Sequence, residues 1–96
     1  MTHPAPAARL ALGADLNLAA AEPLRERLAT ALEAGEALAM DGAKVERIST
    51  ACLQVLVAAA RQARRAGLAW LILDPSAALA EAVHDLALHN ELLPRT

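Results

Sequence analysis

Short apolar runs alternate along this chain with segments whose apolar residues recur at helical spacing, and this alternation limits the folds open to it. The runs span at most six residues and lie close to Gly or Asp, which is typical of strands rather than helices. We predict strands at residues 9–13, 37–40 and 68–73, and helices at residues 19–34, 51–66 and 77–88. This order favours an α/β fold, a small and mostly parallel sheet flanked by crossover helices.

The spacing of apolar residues also predicts the core. We expect the inward positions to be Leu53, Leu56, Val57 and Ala60 in the second helix, and Leu79, Val83 and Leu86 in the third. Pro23 is expected in the first turn of the first helix, Ser76 at the N-cap of the third, and Gly35 and Gly67 just past the ends of the first two. Continuous apolar runs at 37–40 and 68–73 indicate strands covered on both faces.

The length of the chain indicates one domain. Its 96 residues leave no room for a second core of comparable size. Residues 1–8 contain two prolines and mostly small side chains. We therefore predict a flexible N-terminal lead-in at residues 1–8 and a single domain over residues 9–96.

Composition excludes several classes of function. A formal net charge of -2 provides no excess of basic residues for nucleic acid, and a lone Trp70 without Phe or Tyr offers no platform for stacking bases. The longest uncharged stretch, residues 48–60, is too short to cross a bilayer. Because Cys52 is the only cysteine and no secretory signal is recognisable, we expect a cytoplasmic protein without direct membrane insertion.

Three groups of side chains are candidates for chemistry. Asp41 and Asp74 follow predicted strands, where acids can hold Mg²⁺, but capping of turns is the favoured interpretation. His84 and His89 are five residues apart and do not form an i, i+4 metal pair. Cys52 lies near a helix N-terminus, where a thiol can become reactive, yet packing is again favoured. We therefore predict no catalytic residue, no metal site and no cofactor.

The most informative segment is residues 45–54, in which two hydroxyls stand where a loop enters the second helix. Ser49 and Thr50 are both residue types that cap helix N-termini by accepting a bond from a backbone amide. The same amides and the helix dipole would also accommodate a phosphate on one of these hydroxyls. Local physics alone favours the cap, without assigning it to either residue.

The same segment resembles a known signature. Its pattern Val45-x-x-Ile48-Ser49-Thr50-x-Cys52-Leu53 is similar to V-x-x-I-D-S-x-G-L, the signature of STAS domains, the anti-sigma factor antagonist family. Further similarity lies at residues 13–17, 66–67 and 74–76, and the resemblance spans residues 10–93. It implies a mixed sheet with flanking helices and a non-enzymatic module that binds a histidine-kinase-like ATPase in a bacterial signalling pathway, such as chemotaxis or a stress response.

The resemblance also implies a site. The phosphoacceptor position falls on Thr50, with Ser49 as second choice, and Ser49 and Cys52 stand where the family has Asp and Gly. The residues expected to face a protein partner are Asp15, Asn17, Ser49, Thr50, Ala51, Cys52 and Gln54.

Two further alternatives stay open. The domain could instead dock constitutively to the ATPase of a lipid-asymmetry ABC transporter, whose STAS subunits also have Thr at the acceptor position. The usual first strand of the family looks short here, so a second copy of the chain could cover the apolar surface that it leaves. A homodimer is therefore a further alternative.

Overall fold

The computed structural model describes residues 7–93 and has the predicted alternation of strands and helices. The strands are β1 Ala7–Ala11, β2 Asp15–Leu16, β3 Ala37–Asp41, β4 Arg47–Ile48 and β5 Trp70–Leu73. The helices are α1 Ala21–Glu33, α2 Thr50–Arg65, α3 Ala77–Asp85 and α4 His89–Leu92, and a 3-10 turn at Leu18–Ala20 precedes α1. β1 begins two residues before its predicted start, and the rest of the predicted lead-in lies outside the described residues.

The described strands form two sheets, and every pairing is parallel. The larger sheet has the order β1-β3-β5, so β3 is central and Ala39 lies between Arg9 and Leu71. The smaller sheet pairs β2 with β4 over two residues. This confirms an α/β fold with a small, mostly parallel sheet and flanking helices. Strands of two residues carry no detectable period, so β2 and β4 were not predicted.

The core lies between one face of the larger sheet and the helices. Alternate residues of β3 and β5 are buried, while α1 contacts β3 and α2 contacts both β5 and α1. These buried strand residues are Leu38, Met40, Trp70 and Ile72. On α2, the four predicted core residues Leu53, Leu56, Val57 and Ala60 are all buried.

The expectation that both faces of the strands are covered was wrong. Leu71 is 48% exposed between the buried Trp70 and Ile72. Ala37 and Ala39 of β3 are partly exposed on the face opposite Leu38 and Met40. Ala is apolar but small enough to be tolerated on a partly exposed face. Alternating it with Leu and Met therefore gives the continuous apolar run that is typical of a strand buried on both faces.

The predicted ends of α1 and α2 are confirmed, but that of α3 was wrong. Pro23 lies in the first turn of α1, and Gly35 and Gly67 follow α1 and α2 with φ of +71° and +72°. However, α3 ends at Asp85, and Leu86 is 47% exposed rather than inward-facing. Ala87 adopts a left-handed φ of 54° and turns the chain away from the helical path.

The short helix α4 is attached to α2 and β5 by polar contacts. Arg61 and Arg64 both donate to the carboxylate of Glu91, over 3.2 and 3.0 Å. Arg64 also donates to the backbone carbonyl of Glu91, and the indole N–H of Trp70 donates to that of Leu92 over 3.3 Å. Leu92 is fully buried. Among the described residues, no helix is both long and apolar enough to cross a membrane.

Candidate partner-docking site

Two loops meet at the N-terminus of α2 because the β2–β4 pairing holds them together. The backbone amide of Glu46 donates to the carbonyl of Ala14 over 2.7 Å, and the amide of Ser49 donates to the carbonyl of Leu16 over 2.8 Å. Leu16 is buried beneath this pairing. Residues 14–17 and 46–49 are therefore fixed side by side where α2 begins.

Ser49 is the N-cap of α2. Its backbone is extended, with φ of -77° and ψ of 158°, and its Oγ accepts a hydrogen bond from the amide of Cys52 over 3.2 Å. Its carbonyl accepts the first helical bond, from the amide of Leu53. The prediction that a hydroxyl caps this helix is confirmed, and the structure assigns the cap to Ser49.

Thr50 is the first residue inside α2 and its side chain is exposed. Within the described part of the chain, the backbone amides of Thr50 and Ala51 have no hydrogen-bond acceptor. These amides also form the positive end of the α2 dipole. An anionic group on the Thr50 hydroxyl would therefore meet unused donors.

Cys52 connects this turn of α2 to the neighbouring loop. Its thiol is fully buried and donates to the backbone carbonyl of Asn17 over 3.3 Å. The Oδ1 of Asn17 in turn accepts a bond from the amide of Ala20 over 3.1 Å and caps the 3-10 turn. Cys52 was expected to face a partner, but its side chain has no exposed surface. It packs beneath the site instead.

The remaining expected residues lie on the β2 loop and on the first turns of α2. Asp15 is exposed in β2, Asn17 is exposed at the end of the same loop, and Gln54 is exposed one turn along α2. Ala51 is partly exposed. The structure thus brings the predicted site residues of both loops together at one end of α2.

Two apolar grooves flank the exposed ridge of α2, and sequence reasoning missed both. A groove of about 420 Å³ separates α2 from α1, and a second of about 380 Å³ separates α2 from the segment after α3. Gln54 and Ala58 line both grooves. The second groove was missed because Leu86 was wrongly predicted to face the core. The small exposed residue Ala58 on the α2 ridge was the one sequence feature that could have indicated the grooves.

The candidates for metal chemistry belong to no cluster of three or more potential ligands within residues 7–93. Asp41 is the last residue of β3 and its carboxylate accepts a bond from the amide of Ala43 over 3.0 Å, while Asp74 has a φ of 48° in the bend that follows β5. His84 and His89 are exposed on different helices. Residues 7–93 contain no group of three or more His, Cys, Asp or Glu side chains that could hold a metal ion.

Comparison with known proteins agrees with this architecture. A family model described as "Mlab, STAS domain" matches residues 2–94. No curated protein matches the sequence at a significant level. STAS domains generally act as protein-interaction modules without enzymatic activity, and the match covers nearly all of the 96 residues. The chain therefore belongs to the STAS domain family.

Proposed function

We propose that this chain is a cytoplasmic, non-enzymatic docking module that binds an ATPase partner through the surface around Thr50, and that phosphorylation of Thr50 releases the partner. The partner class is the histidine-kinase-like ATPase that the family signature implies, in a bacterial chemotaxis or stress-response pathway. The observation that carries the proposal is the exposed hydroxyl of Thr50 beside the unused amides of Thr50 and Ala51.

A phosphate on Thr50 should affect folding and partner binding differently. A phosphate adds about -1.5 to -2 charges near pH 7. Within the domain this charge faces the N-terminus of α2, an arrangement that favours it by about 0.3–1 kcal/mol. The Ser49 cap already satisfies the amide of Cys52, so modification of Thr50 removes no existing bond. The fold should therefore tolerate the phosphate.

Docking should respond far more strongly than folding. In an interface, the same phosphate must lose its hydration or must lie against partner groups that are complementary to a neutral hydroxyl. An uncompensated charge of this kind costs about 2–5 kcal/mol, equivalent to about 30-fold to several thousand-fold in affinity. The switch thus acts on the complex and leaves the isolated domain intact.

The test is calorimetric titration with the ATPase encoded beside the gene. Thr50→Glu, which carries part of the phosphate charge, should weaken binding at least about 30-fold. Thr50→Ala should bind like the wild type and lose any response to the kinase activity. Thr30→Glu is the matched control, because Thr30 is also exposed but lies on α1. Equal weakening by Thr30→Glu would show that charge anywhere on the surface is sufficient.

The second candidate is constitutive docking to the ATPase of a lipid-asymmetry ABC transporter. Its support is specific, since Ser49 replaces the signature acid and acts as a helix cap, and the matching family model is described as "Mlab, STAS domain". In this case the transporter ATPase binds without phosphorylation. Wild-type affinity of Thr50→Glu would exclude the switch and leave constitutive docking as the function.

A further inference from the structure

The groove between α2 and the segment after α3 has a defined length and polarity. Its lining is mostly apolar, and Thr50 and Arg61 stand at its two ends. We call it the α2–α3 groove; between these ends it is lined by Leu53, Val57, Leu86 and Leu88, together with Gln54 and Ala58 on the ridge of α2. Thr50 and Arg61 are eleven positions apart on α2, which corresponds to about 16 Å along the helix axis. An element of two to three helical turns fits this length.

Leu86 is held exposed at the wall of the groove. It is 47% exposed, and the following Ala87 has a left-handed φ of 54°, a conformation that costs a non-glycine residue energy. Leu53 and Val57 form a floor beneath it that is 2% and 9% exposed. Because backbone strain of this kind concentrates at functional sites, the strained Ala87 that keeps Leu86 exposed beside an apolar floor favours a binding surface here.

The Arg61 end of the groove carries excess positive charge. The single carboxylate of Glu91 is shared between Arg61 and Arg64, and the Arg61 side chain is still 57% exposed. Arg65 lies exposed at the end of the same helix. The chain as a whole is negative, with a formal charge of -2, so this end contrasts with the overall charge. It is complementary to an acidic group on the occupant.

We propose that the α2–α3 groove binds an amphipathic helix of the partner protein, with its apolar residues against Leu53, Val57 and Leu86 and an acidic residue at Arg61. The inference rests on the proposed docking function and specifies the partner element that Thr50 adjoins. Apolar anchors at i, i+4 and i+7 span a groove of this length. Thr50 is at the end of the groove opposite Arg61. A phosphate on Thr50 would therefore lie beside one end of the bound partner helix.

Photo-crosslinking tests the occupant. The chain is expressed in the cells from which the gene comes, with p-benzoylphenylalanine in place of either Leu86 or the exposed Asp15, and the cross-linked peptides are sequenced by mass spectrometry. We expect the probe at Leu86 to capture a partner peptide with apolar residues at helical spacing and a neighbouring Asp or Glu. A peptide without that pattern, or a peptide from a second copy of this chain, would overturn the inference.

The Asp15 probe distinguishes failure of the groove from failure of the proposed function, because Asp15 is exposed in the candidate docking site and does not line the groove. Cross-linking from Asp15 but not from Leu86 would place the partner on the β2 loop outside the groove, which rejects the inference and keeps the docking function. Absence of cross-links from both positions would reject both.

Two pairs of variants then test the contacts with the captured partner. Leu86→Ser should weaken binding about tenfold, whereas Leu71→Ser should not, although these leucines are 47% and 48% exposed. Arg61→Gln and Glu91→Gln both break the same ion pair, but they change the charge of the groove in opposite directions. Arg61→Gln should weaken binding about three- to tenfold and Glu91→Gln should maintain or strengthen it. Equal weakening by both would mean that the ion pair only supports the fold.

Discussion

The thiol of Cys52 donates a hydrogen bond over 3.3 Å to the backbone carbonyl of Asn17, so the first turn of α2 is tied to the loop that follows β2. Both segments belong to the candidate docking site. The bond gives Cys52 a structural role at the position where the family signature has a small Gly. It also explains how a larger residue is accommodated there, since the thiol lies inside the core with no exposed surface.

The burial of Cys52 predicts slow thiol chemistry. In the folded protein, a thiol reagent such as Ellman's reagent should label Cys52 only as fast as the site opens, because the thiolate must be exposed to react. In denaturing urea the same reagent should label one thiol per chain within the mixing time. Rapid and complete labelling of the native protein would contradict the packing role and revive the interpretation of Cys52 as a reactive residue.

The neighbouring hydroxyls should have separable effects on stability. Ser49→Ala removes the cap of α2 and should cost about 0.5–2 kcal/mol in the free energy of unfolding, measured by urea denaturation. Thr50→Ala removes an exposed hydroxyl outside the cap and should cost less than about 0.5 kcal/mol. Ser49→Asp, which restores the signature acid, should remain within about 0.5 kcal/mol of wild type because Asp caps as well as Ser. A larger loss from Thr50→Ala than from Ser49→Ala would reverse the assignment.

The sequence predicted the elements that have a clear period and missed those that do not. The buried face of α2, with Leu53, Leu56 and Val57, follows directly from helical spacing, and Gly35 and Gly67 mark helix ends as expected. In contrast, α3 ends at Asp85 without a Gly or Pro, and a left-handed Ala87 is not a conformation that the residue type indicates. The exposure of Leu86 therefore could not be foreseen.

The same distinction applies to the candidate site. The signature segment identified the turn that contains Ser49 and Thr50, but only the hydrogen bond to the amide of Cys52 shows which hydroxyl is the cap. The grooves beside α2 depend on contacts between segments far apart in sequence. Leu53 and Leu88, for example, line one groove although 35 positions separate them. Local patterns contain no information about such distant neighbours.

Gly42 should tolerate substitution poorly. A Cβ atom at this position would lie 2.8 Å from Cδ2 of the buried Leu79, 3.3 Å from Cγ2 of Ile72 and 3.3 Å from Cα of Pro75. Gly42→Ala should therefore cost about 1–3 kcal/mol in unfolding free energy through overpacking between β3 and α3. Gly13→Ala is the control, because no atom lies within 4 Å of its added Cβ, and should change stability by less than about 0.5 kcal/mol. Equal stability of the two variants would show that α3 shifts freely.

The attachment of α4 should weaken in acid. Hydrogen bonds from Arg61, and then from Arg64, lower the pKa of the Glu91 carboxyl below its ordinary value of 4.5. A carboxyl whose pKa is lower in the folded state stabilises the fold above its unfolded pKa, and this contribution is lost as the pH falls through the folded value. Glu91→Gln should therefore lower the thermal midpoint at pH 7, and the difference from wild type should shrink as the pH falls below about 4.5.

Glu22→Gln provides the comparison for that series. Glu22 also has a lowered pKa, chiefly through its hydrogen bond with Arg25, but both side chains lie on α1 and are 63% and 60% exposed. A pair of this kind stabilises little, because water screens it and it connects no separate elements. The Glu91 side chain is only 30% exposed and connects α4 to α2, so its substitution should shift the midpoint at pH 7 more than Glu22→Gln does. A midpoint difference for Glu91→Gln that stays constant from pH 7 to pH 3 would mean that the carboxylate charge does not hold α4 in place.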